Sequence, residues 1–291
     1  MSSTRSTLRD GVFQLAVVII LLLLTLAVVF PFLLTVTSSF ADSKELLLKN
    51  VVLWPKHWTL DAYKFLLDND QFVRSFRNAV VITVVGTAIN MALSVLMAYG
   101  LAQPGVKGRT AVNFMVLFTM LFHGGMIPTY LVVNKLGLID SYWSIWLVGA
   151  IAPFNMIVIR SFFQTLPKEL KESARIDGCG EFKILWRIVL PVSMSMMVTF
   201  ALFYAVANWN TYFQAILYLN DSDSYPLQVF MRQVLIVNPS ELGLDVTDSG
   251  YTYTPAVRHA VILLAALPLL VVYPFMQKHF SKGMMVGSVK G

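Results

Sequence analysis

Apolar runs long enough to cross a bilayer constrain this chain more than any other feature. A hydrocarbon core about 30 Å thick needs ~20 apolar residues per helix. Six stretches meet that length: residues 12–37, 79–102, 112–133, 142–162, 194–219 and 257–275. With 57% hydrophobic and 13% charged residues in 291, the chain is too apolar for a soluble domain of this size. The first run is too long for a secretory leader and lacks a small-residue cleavage site, so it reads as a retained helix. The expectation is an all-α membrane protein: six transmembrane helices within 12–275, a polar lead 1–11 and a tail 276–291.

Charge sets the orientation. With the N-terminus in the cytoplasm, six crossings return the C-terminus there. The inner segments then hold 13 of the 22 Lys and Arg, and only 5 of the 16 Asp and Glu. Basic residues gather on the cytoplasmic side of membrane proteins. The net charge of +6 is therefore a topology signal, and no nucleic-acid partner is implied. Two long outer loops follow, 41–77 and 220–255. Trp54 and Trp58 in the first suit the membrane–water interface, with a partner site as the lesser reading.

The segment 164–191 is the most charged interruption between apolar runs. Lys168, Lys171, Arg175, Lys183 and Arg187, with Arg160 before them, mark it as cytoplasmic. Pro167 suits a first helical turn, because its missing N–H would be unpaired there anyway. Leu166, Leu170 and Ala174 recur four apart and give a narrow apolar stripe. Gly178 tolerates the left-handed geometry that closes a helix. A second helix starts near Glu181 and runs toward Pro191. The product is a helix–Gly–helix elbow held against the membrane, although charged runs are commonly just solvated loops.

Glu172-Ser173-Ala174, three residues, Gly178, nine residues and Ile188-Val189-Leu190-Pro191 together resemble the EAA loop of ABC-importer permease subunits. Ser173 departs from the family's Ala but keeps a small residue. The resemblance implies the six-helix type I importer permease fold. It also implies that Lys168, Glu169, Glu172, Ser173, Ala174, Asp177, Gly178, Phe182 and Pro191 couple to an ATPase. The sequence 136–143 and the basic, glycine-bearing tail are similar to carbohydrate-uptake permeases, including those for oligosaccharides and polyuronates such as alginate. That similarity implies a tail contact by Lys290 and Gly291 with the ATPase. It also implies that the loop 220–255 reaches a solute-binding protein, with Tyr251 and Tyr253 at its tip; plain solvent exposure is the alternative.

The fifth run carries Asn208, Trp209, Asn210 and Tyr212. Amides inside a membrane are costly unless they meet partners or water. Aromatic faces beside amides suit a sugar ring in a translocation path, and hydrogen bonds between helices of neighbouring subunits are an equal reading. His123-Gly124-Gly125 and Pro128 loosen the third run, and His123 reads as a packing or interfacial histidine. No carboxylate or cysteine sits at metal-ligand spacing from it, no metal site is expected, and Cys179 is the one cysteine.

The sequence lacks G-x-x-x-x-G-K-[ST], H-E-x-x-H and G-x-S-x-G, so no phosphate loop or protease motif is present. The expected protein is not an enzyme and has no catalytic residue or cofactor of its own. ATP and magnesium are expected on a homodimeric ATPase partner. The other expected partners are a second, different permease, an extracytoplasmic solute-binding protein, a carbohydrate and membrane lipid. The location is a bacterial inner membrane. A self-sufficient secondary transporter or channel is the competing class.

Overall fold

A computed structural model describes residues 3–49, 52–236 and 254–287, with side chains of 3–10, 12 and 275–287 outside the description. Fourteen described helices follow in chain order: α1 Ser3–Ser39, α2 Ser43–Leu48, α3 Asp61–Asp68, α4 Asp70–Ala102, α5 Arg109–Leu121, α6 Met126–Lys135, α7 Tyr142–Leu147, α8 Pro153–Thr165, α9 Lys168–Ile176, α10 Glu181–Val192, α11 Met194–Trp209, α12 Phe213–Tyr218, α13 Leu227–Ile236 and α14 Pro255–Gly287. Extended pairing among the described residues is limited to a bridge between Ala41 and Trp58.

Among the described residues, three helical stretches are long and apolar enough to cross a membrane: Phe13–Ser39, Asp70–Ala102 and Pro255–Pro274. Two further runs are bent pairs rather than single rods. Helices α5 and α6 meet at 120° and α10 and α11 at 88°. The expected continuous third span is thus broken, because Gly125 takes φ +92°, a conformation open to glycine and strained for other residues. The fourth expected span divides too: α7 stops at Leu147, and Pro153 stands in the first turn of α8. The fifth ends its long helix at Trp209 and restarts at Phe213. The segment 41–77, expected as a loop, is largely helical, since α2, α3 and the start of α4 occupy much of it.

The chain divides into two compact units, Met1–Asn69 with Gln233–Ala266, and Asp70–Arg232 with Leu267–Gly291. In the first, the apolar window of α1 has no buried residue, as expected of a helix whose solvent is lipid. An aromatic knot closes its end: Phe40 lies 5.0 Å from the Tyr63 ring and 6.0 Å from Trp58, and Trp54 meets Trp58 edge-on. The Ser39 hydroxyl bonds the Tyr63 hydroxyl at 2.7 Å. Both tryptophans stay exposed, at 75% and 50%, which fits an interfacial anchor.

In the second unit α4 is the spine, and α8 and α11 pack along it. Polar pairs fix the register of these helices. Asn90 Nδ2 donates to the Ala150 carbonyl at 2.8 Å, and Asn208 Nδ2 donates to Asn90 Oδ1 at 2.8 Å. The Ser94 and Tyr204 hydroxyls bond at 2.6 Å, and Tyr204 accepts from the Ala152 N–H at 3.2 Å. The backbone freed by the break before α8 is thereby satisfied from α4 and α11, as broken membrane helices require. Gly86 lets Asn208 approach: a Cβ there would stand 3.0 Å from the Asn208 side chain. Gly86→Leu should therefore push α11 off α4 and lower the thermal midpoint, by about 1–3 kcal/mol of overpacking; thermal unfolding in detergent measures it.

At the opposite end of α4, the segment after α12 is tied down. Gln71 donates to the Ser222 carbonyl at 2.7 Å, Asn78 to the Asp223 carbonyl at 2.7 Å, and Arg74 pairs with Asp223 at 2.9 Å. Asp140, at φ +60°, accepts from the backbone and side chain of Asn220. Those bonds hold its carboxyl below the usual carboxylate range.

Candidate functional site

The elbow begins where α8 ends. Leu166 is extended, as a residue before proline prefers. Pro167 sits at the N-cap, one position ahead of the first helical residue, so it precedes rather than opens the first turn. Glu169 in the first turn and Arg175 in the last match the helix dipole. The helix then closes in a Schellman turn. Gly178 takes φ +74°, its N–H bonds the Arg175 carbonyl at 3.0 Å, and the Cys179 N–H bonds the Ala174 carbonyl at 2.9 Å. Gly178 is the stop expected from the sequence, and the turn leads the chain into α10.

The inner face of the elbow is fixed to the body of the unit. Ala174 is buried with Ile184, Leu185 and Val189 in one cluster with Val95, Ala98, Tyr99, Ile159 and Phe163, and Leu166 and Cys179 pack on it. Of the expected stripe, Ala174 and Leu166 turn inward, whereas Leu170 stays 41% exposed. Charged groups add a clip. Tyr99 donates its hydroxyl to Glu181 Oε2 at 2.7 Å, and Arg175 Nε donates to Glu181 Oε1 at 2.8 Å. Arg175 Nη2 reaches Gln103 Oε1 at 3.4 Å. Lys171 Nζ donates to the Phe163 carbonyl at 3.2 Å and lies 5.9 Å from the Tyr99 ring centre. Thus α9 and α10 are bolted together and to the end of α4.

Burial pushes the Lys171 ammonium below the usual lysine range, with Arg175 adding to it. The Tyr99 hydroxyl holds the Glu181 carboxyl below its ordinary range, and Arg175 adds to that. A lowered folded pKa means that the clip contributes fully above the ordinary glutamate value near ~4.3 and is lost as pH falls through the lowered value. The thermal midpoint difference between the native protein and Glu181→Gln should stay constant from about pH 8 to 5 and shrink at lower pH. A pH series of melting curves checks this.

The outer face is free. Lys168, Glu169, Glu172, Ser173, Asp177 and Gly178 are exposed, and so are two large apolar side chains, Ile176 at 87% and Phe182 at 69%. Large apolar groups displayed on a polar elbow mark a contact surface. Most of the expected coupling residues therefore lie together on this side. Ala174 faces inward and positions the others. Pro191 stands apart, near the end of α10 on the wall of an apolar groove. Sequence reasoning missed Ile176 and the clip of Tyr99, Gln103, Arg175 and Glu181. An isolated isoleucine just before the glycine stop was the available signal for the former.

The polar fifth run is divided in its roles. Asn208 bonds Asn90 and, at 3.4 Å, Thr87 within the chain, and Trp209 is buried with Phe76 edge-on at 5.9 Å. Asn210 is exposed beside its own helix end. Tyr212 is half-buried, with the Arg232 guanidinium 5.2 Å from its ring centre. His123 is exposed at the α5–α6 bend, and no group of three or more His, Cys, Asp or Glu placed to hold a metal occurs among the described residues. Tyr251, Tyr253, Lys290 and Gly291 lie outside the described residues.

A family model described as the binding-protein-dependent transport system inner membrane component matches residues 81–286. Protein LplC of Bacillus subtilis is 51% identical over 266 residues, covering 90% of each chain. The polygalacturonan/rhamnogalacturonan transport system permease protein YtcP of the same organism is 47% identical over 287 residues, covering 98% of this chain and 100% of its own. Among solved structures, a chain of a bacterial ABC transporter involved in the import of the acidic polysaccharide alginate superposes with a TM-score of 0.86 at 29% identity, covering 94% of this chain and 98% of that one. With more than half its length matched by that model and relatives this similar, the chain belongs to the family of binding-protein-dependent transport system inner membrane components.

Proposed function

We propose that this chain is one permease subunit of an ATP-driven, binding-protein-dependent carbohydrate importer, providing half of the translocation path. The observation that carries the reading is the elbow: its inner face is fixed to α4 and α8, while Ile176, Phe182 and Glu172 are displayed outward. A surface of that kind is useful to a chain that takes its power from a neighbour. An ATPase homodimer, carrying the ATP and magnesium, would press on α9 through Lys168, Glu169, Glu172, Ser173, Asp177, Gly178 and Phe182. The Schellman turn and the Glu181 clip make α9 and α10 move as one piece. Displacement passes to Tyr99 and Gln103 at the end of α4, and from there to α8 and α11, which pack along it.

In this reading six crossings place both ends in the cytoplasm of a bacterium, with the broken third and fifth runs at the path shared with a second, different permease. The relatives' substrates, a polygalacturonan and an alginate, support an oligosaccharide, and an acidic one. Asn210 and Tyr212 are the path residues of choice, because Asn208 and Trp209 are occupied within the chain. Tyr251 and Tyr253 would meet the solute-binding protein, and Lys290 and Gly291 the ATPase. Purification of the tagged chain from native membranes, followed by mass identification of what accompanies it, tests the assembly. An ATPase, a second permease and a uronic-acid oligosaccharide are expected; a chain that purifies alone, competent in transport, would overturn it.

A further inference from the structure

An apolar groove of about 610 Å³ lies between α4 and the α10–α11 corner, within the size range of small-molecule sites. Ala88, Met91, Ala92 and Val95 form one wall. Their spacing of three and four puts them on a single face of α4 over about 10 Å of helix. Trp186, Leu190, Pro191, Met194 and Met197 form the other wall. The 88° bend opens this corner, because α10 departs from the direction of α11 just where Pro191 and Met194 stand. Its lining offers almost nothing to a polar ligand, so neither a sugar nor a nucleotide fits it.

One end of the groove has a different character. Trp186 is 66% exposed, and Lys183 and Arg187 flank it on the same helix and are exposed as well. Neither base joins an ion pair among the described residues. Two cations without an ion pair thus stand within one turn of the indole that lines the slot, though outside the lining itself. An amphiphile with an anionic head and a hydrocarbon tail is complementary to that arrangement at both ends. Cytoplasmic leaflets are rich in such lipids, and juxtamembrane bases attract them.

We propose that the groove is a binding site for an anionic phospholipid, its acyl chain along Ala88, Met91 and Val95 and its phosphate at Lys183 and Arg187. The orientation of the head rests on the cytoplasmic placement of the elbow given above. Functionally, the lipid would fill the corner between α10 and α11 and so couple the elbow's motion to leaflet composition. Lys183 and Arg187 are separate from the residues of the displayed coupling face, so they can be altered without touching it.

Tryptophan quenching by brominated lipids tests this on the intact importer in nanodiscs. Both leaflets then carry the same lipid, so a reversed elbow would not change the outcome. The Trp186 contribution is the difference between the native complex and its Trp186→Phe variant, whose side chain is exposed and whose fold a melting curve checks. Brominated phosphatidylglycerol is expected to quench that contribution severalfold more than brominated phosphatidylcholine. The double variant Lys183→Gln/Arg187→Gln should bring the two lipids level. Equal quenching of the native complex by both lipids would overturn the proposal. So would the absence of any Trp186 quenching, which would mean that protein, such as the second permease, fills the groove.

Discussion

Gly178→Val is expected to abolish ATP-driven uptake while leaving the chain folded in the membrane. At φ +74° a β-branched residue sits in the region closed to it by its own Cβ, costing about 1–2 kcal/mol. The surroundings are open, since nothing stands within 4 Å of a Cβ built there, so the effect is on the backbone alone. The Schellman turn would open, and α9 would lose its fixed angle to α10. Gly178→Asn, which tolerates the left-handed region, should keep most of the transport. Glu172→Lys tests the outer face separately: the side chain is exposed, so the fold is spared and only docking is reversed in charge. Loss of one such contact, about 1.4 kcal/mol, is tenfold in affinity. Uptake into proteoliposomes should fall about tenfold or more, while ATP hydrolysis persists without matching transport. Full coupled uptake in both Gly178→Val and Glu172→Lys would rule out the elbow as the transmission element.

The second large effect concerns Asn90. Its amide joins Ala150 on one side and Asn208 on the other, so Asn90→Leu leaves a carbonyl and an amide short of partners in a dry setting. Each orphaned group costs about 1–3 kcal/mol, and interhelical bonds in membranes average nearer ~0.6; about 2–3 kcal/mol in all is expected. Asn90→Leu/Asn208→Leu should recover part of that, because removing both partners of a bond costs less than removing one. Melting curves of the two single variants and the double variant give the coupling directly. If Asn208 instead served the solute, Asn208→Leu would raise the KM for uptake and leave the melting temperature unchanged.

Much of this was legible in the chain. The apolar runs announced membrane helices, and Leu166, Ala174 and Gly178 announced an elbow with an inward stripe and a stop. Those signals are local: periodicity, a missing N–H, a residue without Cβ. What escaped was long-range. Glu181 meets Tyr99 across 82 positions, and Asn208 meets Asn90 across 118, and no periodicity encodes such pairs. Helix breaks were half legible. Gly125 and Pro153 offered the means to interrupt a run, yet composition alone gave continuous spans. The bend between α10 and α11 was less easily located, since Pro191 stands two residues before Ser193, where α10 gives way to α11.

Where the driving force enters separates an ATP-driven permease from a self-sufficient transporter. Proteoliposomes containing this chain with its permease partner, with or without the ATPase subunit, measure that directly when supplied with binding protein and a labelled acidic oligosaccharide. Uptake is expected only when the ATPase and ATP are both present, and it should vanish with Gly178→Val. Solute flux through the permease chains alone, indifferent to ATP, would contradict it.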